Sequence, residues 1–257
     1  MKTFLLTLPV CAAVFAVGCA AQNTTATPDA PVTPAAATTE PAATTAEASC
    51  PTPAAAPKAK TGTYRVVDEV RPGMPPAMVQ GLRDAKIAPP PATLEMPANA
   101  RVQLQTSAGN ITVELNTKEA PLHTKSFYYL ASKGFFDGTT FHRWANLMEG
   151  APTPGYIIQG GDPLTKNAKT AAFAGGGGPG YQIPRERNNL VHNKLVIAAA
   201  RTADPNSAGS QFYITQNPVC FLDEGDGYTV FGRIVAGQDA ALKLKQDDKI
   251  IKAVVVK

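Results

Sequence analysis

The chain is poor in the residues from which most catalytic centres are assembled. Among 257 residues there are three histidines and four cysteines. His123, His142 and His192 lie far apart, and none has metal-ligand spacing, so all three are read as structural or surface residues with no metal implied. Cys11, Cys19, Cys50 and Cys220 contain no Cys-x-x-Cys pair, which leaves out a zinc ribbon and a dithiol redox motif. No Ser-His-Asp or Cys-His grouping suggests a hydrolase. Gly175 to Gly178 form a glycine run, but no Gly-Lys-Ser/Thr follows, so this is a flexible turn rather than a phosphate loop. Charged residues make up 17% of the chain, with a formal net charge of +4. The basic residues are scattered rather than clustered, unlike a nucleic-acid footprint. There is one tryptophan. The one marked apolar run, residues 4–17, is too short to span a bilayer comfortably. No internal repeat is visible.

What is present is strongly segmented. Lys2 followed by the apolar run reads as a signal peptide over residues 1–18. It ends Ala16-Val17-Gly18-Cys19, small residues before a cysteine, which resembles a lipobox with Cys19 as the lipidated N-terminus of the mature chain. Residues 19–60 are mostly Ala, Thr and Pro, which cannot bury enough apolar surface to offset ordering entropy. They are expected to be a disordered tether that stands a domain off a membrane. The expected location is therefore the cell envelope, with the lipid anchor in a membrane, the outer one by the Ala20 that follows Cys19, and the domain facing the periplasm. Residues 61–98 hold Tyr64-Arg65-Val66-Val67, a short helix around 77–85 and the breaker Pro89-Pro90-Pro91. They either dock on the domain or stay loose. Cys50 and Cys220 either pair in an oxidising compartment or remain two thiols.

Residues 99–257 have the length and patterning of one domain with a real core. Val102, Leu104 and Thr106 alternate with polar residues, as do Ile111, Val113 and Leu115 after Ser107-Ala108-Gly109-Asn110, which predicts a β-hairpin. Ala120-Pro121 opens a helix whose Phe127, Leu130 and Ala131 share a face, and Gly134 is placed to end it. Strands are expected at 139–143, 156–159, 195–200, 211–215, 229–235 and 250–256, with a short helix near 239–245. Many short strands and two helices predict a mainly β domain, a closed antiparallel barrel.

Four segments carry the chemistry: Phe141-His142-Arg143; Gly155-Tyr156-Ile157-Ile158-Gln159-Gly160-Gly161-Asp162; Asn206-Ser207-Ala208-Gly209-Ser210-Gln211-Phe212-Tyr213-Ile214; and Phe221-Leu222-Asp223 followed by Val230-Phe231-Gly232. In this order, together with Phe136-Asp137-Gly138-Thr139-Thr140, they resemble the cyclophilin family of peptidyl-prolyl cis-trans isomerases across nearly all of residues 99–257. The resemblance implies an eight-stranded barrel capped by two helices, with a proline pocket on its outer face. It also implies turnover of X–Pro bonds in unfolded or flexible client proteins, without a cofactor. The chain is expected to act as a monomer.

The residues suit that reaction. Rotation about X–Pro breaks amide resonance against a barrier of about 18–20 kcal/mol, and no bond is made. A catalyst must favour the twisted amide, whose nitrogen carries a free lone pair, over the planar one. Arg143 offers a permanent charge and a fork of donors. Tyr156, Ile157, Tyr213 and Leu222 offer an apolar slot for the proline ring, and Gln159 and Gln211 offer amides to the substrate backbone. By resemblance, Arg143 is the catalytic arginine and Gln159 the glutamine beside it. Tyr156 and Ile157 match the Phe-Met pair of the pocket, Tyr213 its aromatic floor, and Ala200 and Arg201 the Ala-Asn pair at the substrate backbone. Phe221 stands where many members have Trp, and Tyr228 where they have His. A second reading, a module that grips proline segments without turnover, uses the same residues. One stretch departs from the family pattern: residues 144–154 fill a gap that typical members cross in about three residues. This insert, with Trp144, Leu147 and Met148, either packs on the barrel or forms a lip beside the active face.

Overall fold

The computed structural model describes residues 49–52 and 62–256; the signal peptide expected over 1–18, its Cys19 and all but four residues of the tether lie outside them. In chain order the elements are β1 (Arg65–Val66), α1 (Pro76–Ala85), β2 (Arg101–Thr106), β3 (Gly109–Leu115), α2 (Pro121–Ser132), β4 (Arg143–Asn146), β5 (Tyr156–Gly160), β6 (Tyr181–Gln182), β7 (Val196–Ala199), β8 (Phe212–Thr215), β9 (Val230–Ala236), α3 (Gln238–Lys243) and β10 (Ile250–Val256).

The predicted hairpin is β2–β3, in register with Leu104 opposite Ile111 and Val102 opposite Val113. Its alternation buries Val102, Leu104, Ile111 and Val113 completely, as period-2 patterning requires of a sheet with one packed face. The eight strands run in the order β10-β2-β3-β9-β7-β8-β5-β4, with every neighbouring pair antiparallel. They curl around a core rich in aromatic rings. Phe212 meets Phe127 at 5.3 Å, Phe136 at 5.7 Å and Phe141 at 6.2 Å between ring centroids. Helix α2 starts at Pro121, whose missing N–H costs nothing in a first turn, and buries Phe127, Leu130 and Ala131 in this core. It lies against β10, β2 and β9, while α3 lies against β3 and β9.

The barrel expected to close does not. The sheet is a curled half-barrel whose edge strands β10 and β4 are not paired. Residues 138–141 meet residues 247–250 through one bridge, Thr140 with Lys249, and through Gly138 N–H to Ile250 O, Ile250 N–H to Thr139 O, Phe141 N–H to Asp248 O and Asp247 N–H to Phe141 O, all 2.8 Å. Two local features stop the ladder. Gly138 takes the left-handed backbone, φ +78°, and turns the chain away from β10 after its own N–H has donated to Ile250 O; of the strand expected over 139–143, only Arg143 lies in β4. The Asp137 carboxylate accepts the Ala253 N–H at 2.9 Å, so a side chain rather than a strand takes that donor of β10.

Residues 62–98 dock. β1 pairs antiparallel with β6, Arg65 opposite Gln182 and Val66 opposite Tyr181. The Tyr64 hydroxyl donates to Leu122 O at 2.8 Å, and its ring meets Tyr181 edge-on at 5.4 Å. Helix α1, where a helix over 77–85 was expected, packs against the 3-10 turn Pro163–Lys166. Cys50 and Cys220 form a disulfide with their Cα atoms 5.2 Å apart, which ties the described stub 49–52 to the turn that carries Phe221 and Leu222.

Candidate active site

Alternation along three neighbouring strands builds the site. In β5, Ile158 and Gly160 point into the core: Ile158 is wholly buried there, and a Cβ on Gly160 would strike the Phe141 ring. Ile157 and Gln159 therefore face outward. The ladder sets Arg143 opposite Gln159 and Ala145 opposite Ile157 on one side, and Tyr213 opposite Gln159 on the other. Ala198 lies opposite Tyr213. The outward side chains make a second apolar cluster of Ile157, Ala198, Tyr213, Val219, Leu222 and Val230, with Ala200 and Tyr228 at its margin. Leu222 comes from the 3-10 turn Cys220–Asp223, and Phe221 beside it leaves 44% of its surface exposed.

A chain of amides borders the cluster. Arg143 Nη1 donates to Gln159 Oε1 at 3.2 Å, and Gln159 Nε2 donates to Gln211 Oε1 at 3.0 Å. Gln211 Nε2 donates onward to the carbonyls of Gly177 at 2.8 Å and Gly175 at 3.0 Å. Arg143 is exposed, and no carboxylate among the described residues pairs with it, so its charge is free to act on a ligand. Burial holds the neighbouring His142 imidazole below its ordinary pKa; Asp162 opposes this and Arg143 adds to it.

The floor ring is fixed from behind. The Tyr213 hydroxyl lies 2.7 Å from His192 Nε2, and His192 Nδ1 lies 2.5 Å from Asp223 Oδ1. A carboxylate only accepts, so Nδ1 carries a proton toward Asp223, and Nε2 is the ring atom that meets the tyrosine hydroxyl. Burial pushes the Tyr213 pKa well above its ordinary value; its hydroxyl stays a neutral donor. The Arg201 guanidinium sits 4.2 Å over the Tyr228 ring and donates from Nη2 to Gly227 O at 2.9 Å. Its side chain is thus committed to the pocket wall.

The structure brings together Arg143, Gln159 and Gln211 in one chain, and Ile157, Tyr213 and Leu222 in one cluster, with Ala200, Tyr228, Arg201 and Phe221 around it. It does not bring Tyr156 into that cluster. By alternation Tyr156 shares a side with Ile158, and its ring stacks on Trp144 at 4.7 Å and 3°. The Trp144 indole donates to Gln216 Oε1 at 2.8 Å. Sequence reasoning missed the Asp223–His192 support of the floor. Its one signal was a tyrosine at the floor position, whose hydroxyl needs a buried partner.

The model of the family described as cyclophilin type peptidyl-prolyl cis-trans isomerase/CLD matches residues 101–257. A peptidyl-prolyl cis-trans isomerase of Schizosaccharomyces pombe is 39% identical over 140 residues, 54% of this chain and 80% of the relative. Peptidyl-prolyl cis-trans isomerase A of Dickeya dadantii is 36% identical over 152 residues, 58% of this chain and 72% of the relative. A crystal structure of a Cryptosporidium parvum cyclophilin, determined in the presence of the dipeptide Ala-Pro, superposes with a TM-score of 0.50 at 25% identity. It covers 61% of this chain and 99% of that one.

Proposed function

The chain belongs to the cyclophilin-type peptidyl-prolyl cis-trans isomerases, and from that premise we propose how its own residues turn an X–Pro bond and where it does so. Ile157, Tyr213 and Leu222 hold the proline ring while the preceding residue rotates. Gln159 and Gln211, with the Ala200 backbone, steady the substrate main chain, and Phe221, Tyr228 and Arg201 form the far wall. Arg143 donates toward the prolyl nitrogen lone pair, which is available only when the amide is twisted, so the bond it makes strengthens in the transition state. Tyr156, stacked on Trp144, lies on the other side of the strand from this slot.

The size of the effect is within reach of these groups. Uncatalysed rotation takes tens to hundreds of seconds, and reaching ~10³ turnovers per second lowers the barrier by about 6–7 kcal/mol. One hydrogen bond from a charged donor contributes about 1.5–3 kcal/mol, and complementarity of the slot to the twisted peptide supplies the rest. The observation that carries this reading is an exposed, carboxylate-free Arg143 held by Gln159 beside an apolar cluster on the outward side of the sheet. In protease-coupled isomerisation of an Ala-Pro tetrapeptide, Arg143→Ala should lower kcat/KM by about 10²-fold, and Arg143→Lys should restore it only in part because the planar fork is lost. A folded alanine variant of wild-type activity would remove Arg143 from the mechanism.

The clients we propose are envelope proteins with slow X–Pro steps, reached by a domain anchored through Cys19. Two features support this: the Ala16-Val17-Gly18-Cys19 leader, and a disulfide between Cys50 and Cys220, chemistry typical of oxidising compartments. Cells fed labelled fatty acid should incorporate it into the full chain and not into Cys19→Ser; an unlabelled, soluble wild-type product would contradict the anchor.

A further inference from the structure

Residues 62–98 lie ahead of the family-matched part of the chain, yet they reach the glycine loop that holds the active-site amides. That loop is gripped by two carboxylates from opposite directions. Asp162, fully buried, accepts Gly175 N–H at 2.6 Å and Gly177 N–H at 2.9 Å through Oδ2. Glu69, from the segment ahead of the domain, accepts Gly180 N–H at 3.3 Å through Oε1. At two glycines of the loop a side chain would press on the carboxylates. A Cβ on Gly177 would collide with Asp162, and one on Gly178 with Glu69 Oε1. The same segment adds Val67 N–H to Gly180 O and Ile87 N–H to Pro179 O, both 3.0 Å.

The loop held in this way turns two carbonyls toward the active site. Gln211 Nε2 donates to Gly175 O and Gly177 O, with Asp162 Oδ2 a longer third acceptor at 3.3 Å, which fixes the Gln211 amide so that its Oε1 accepts from Gln159 and Gln159 Oε1 accepts from Arg143. We propose that Glu69 is a positioning residue of the isomerase site. Through the glycine loop it sets the orientation of Gln211 and Gln159, and so the affinity for the peptide main chain. This rests on the substrate role given above to those two amides.

The burial of the carboxylate supports the reading. Glu69 Oε2 has no partner among the described residues, and burial raises the pKa of the group. A half-buried acceptor with an unpartnered oxygen is a cost to folding that an apolar residue would avoid. Plain docking of the segment does not need it, because Tyr64, the β1–β6 pair and α1 already secure that.

The test uses the full chain, with an Ala-Pro tetrapeptide as substrate. Glu69→Ala should raise KM about five-fold, the scale expected when an ordered contact group is released, while kcat stays within about two-fold. Glu69→Gln should recover most of the loss, since its amide oxygen still accepts the Gly180 N–H. Tyr64→Phe, which loosens the same segment away from the loop, should leave KM unchanged. Gly178→Ala should reproduce the rise from the other side of the contact, and it serves as the test if Glu69→Ala does not fold. An unchanged KM in Glu69→Ala, no rescue by Glu69→Gln, or an equal rise in Tyr64→Phe would each overturn the proposal. Absence of turnover in the wild-type chain would instead sink the function proposed above, so the two failures are told apart by the control.

Discussion

The two faces of strands β5 and β8 differ in how their polar groups are satisfied. Inward, Ile158, Phe212 and Ile214 are essentially inaccessible and surrounded by rings and aliphatic chains, so nothing there depends on side-chain hydrogen bonds. Outward, one residue along in each strand, Gln159 and Tyr213 are each tied into a relay, one running to Arg143 and the glycine loop, the other to His192 and Asp223. The same backbone thus presents a face whose energy is packing and a face whose geometry is set by directional bonds. The first secures the fold. The second fixes amide and guanidinium groups in advance, which is what electrostatic catalysis requires of its donors.

The sharpest way to break that comparison is to damage each face separately. Phe212→Ala removes a ring in contact with three other aromatic rings and should lower stability by about 4 kcal/mol, within the range for large-to-small changes at such sites. Denaturant unfolding reads this through the midpoint at constant slope. Turnover per folded molecule should stay within about two-fold, the reverse of the loss without unfolding expected for Arg143→Ala. If Phe212→Ala cost activity as heavily as stability, the two faces would not be separable.

How much of this was legible in the sequence follows the same division. The inward face was readable because it is written in alternation. The 101–115 hairpin, α2 and the 250–256 strand fall where apolar periodicity placed them. The residue types of the outward face were readable too, Arg143, Gln159, Gln211 and Tyr213 among them. Their bonds were not, because each depends on residues distant in the chain. Gln159 and Gln211 are 52 positions apart, Arg65 and Gln182 are 117, and Cys50 and Cys220 are 170. No local pattern encodes such pairings, so the docking of 62–98 and the disulfide stayed open until the chain was folded. The closed barrel was misread for a local reason. Pairing at one seam stops at Gly138, where the backbone turns left-handed and the Asp137 side chain takes the next β10 donor, and alternation over 139–143 is blind to a turn that re-aims the chain.

The finest distinction between the faces falls on Tyr156 and the insert at 144–154. Resemblance put Tyr156 in the pocket, whereas strand alternation and the Trp144 stack put it on the side of Ile158. The insert itself divides. Asn146 Oδ1 accepts the N–H groups of Met148 at 3.0 Å and Gly155 at 2.8 Å, closing the loop on itself. Leu147 and Met148 are half-buried against the pocket cluster, so the packing reading holds for these two. Trp144 alone keeps 42% of its surface exposed. Trp144→Ala should therefore cost about 1 kcal/mol of stability, the scale of a stacked aromatic pair, measured by thermal unfolding. It should leave tetrapeptide turnover within about two-fold, because the ring it releases does not line the slot. A ten-fold fall in kcat/KM at unchanged stability would return Tyr156 to the pocket and show that the two faces of β5 meet at the strand's first residue. A small effect on both counts leaves Ile157 and Gln159 as the outward face of β5.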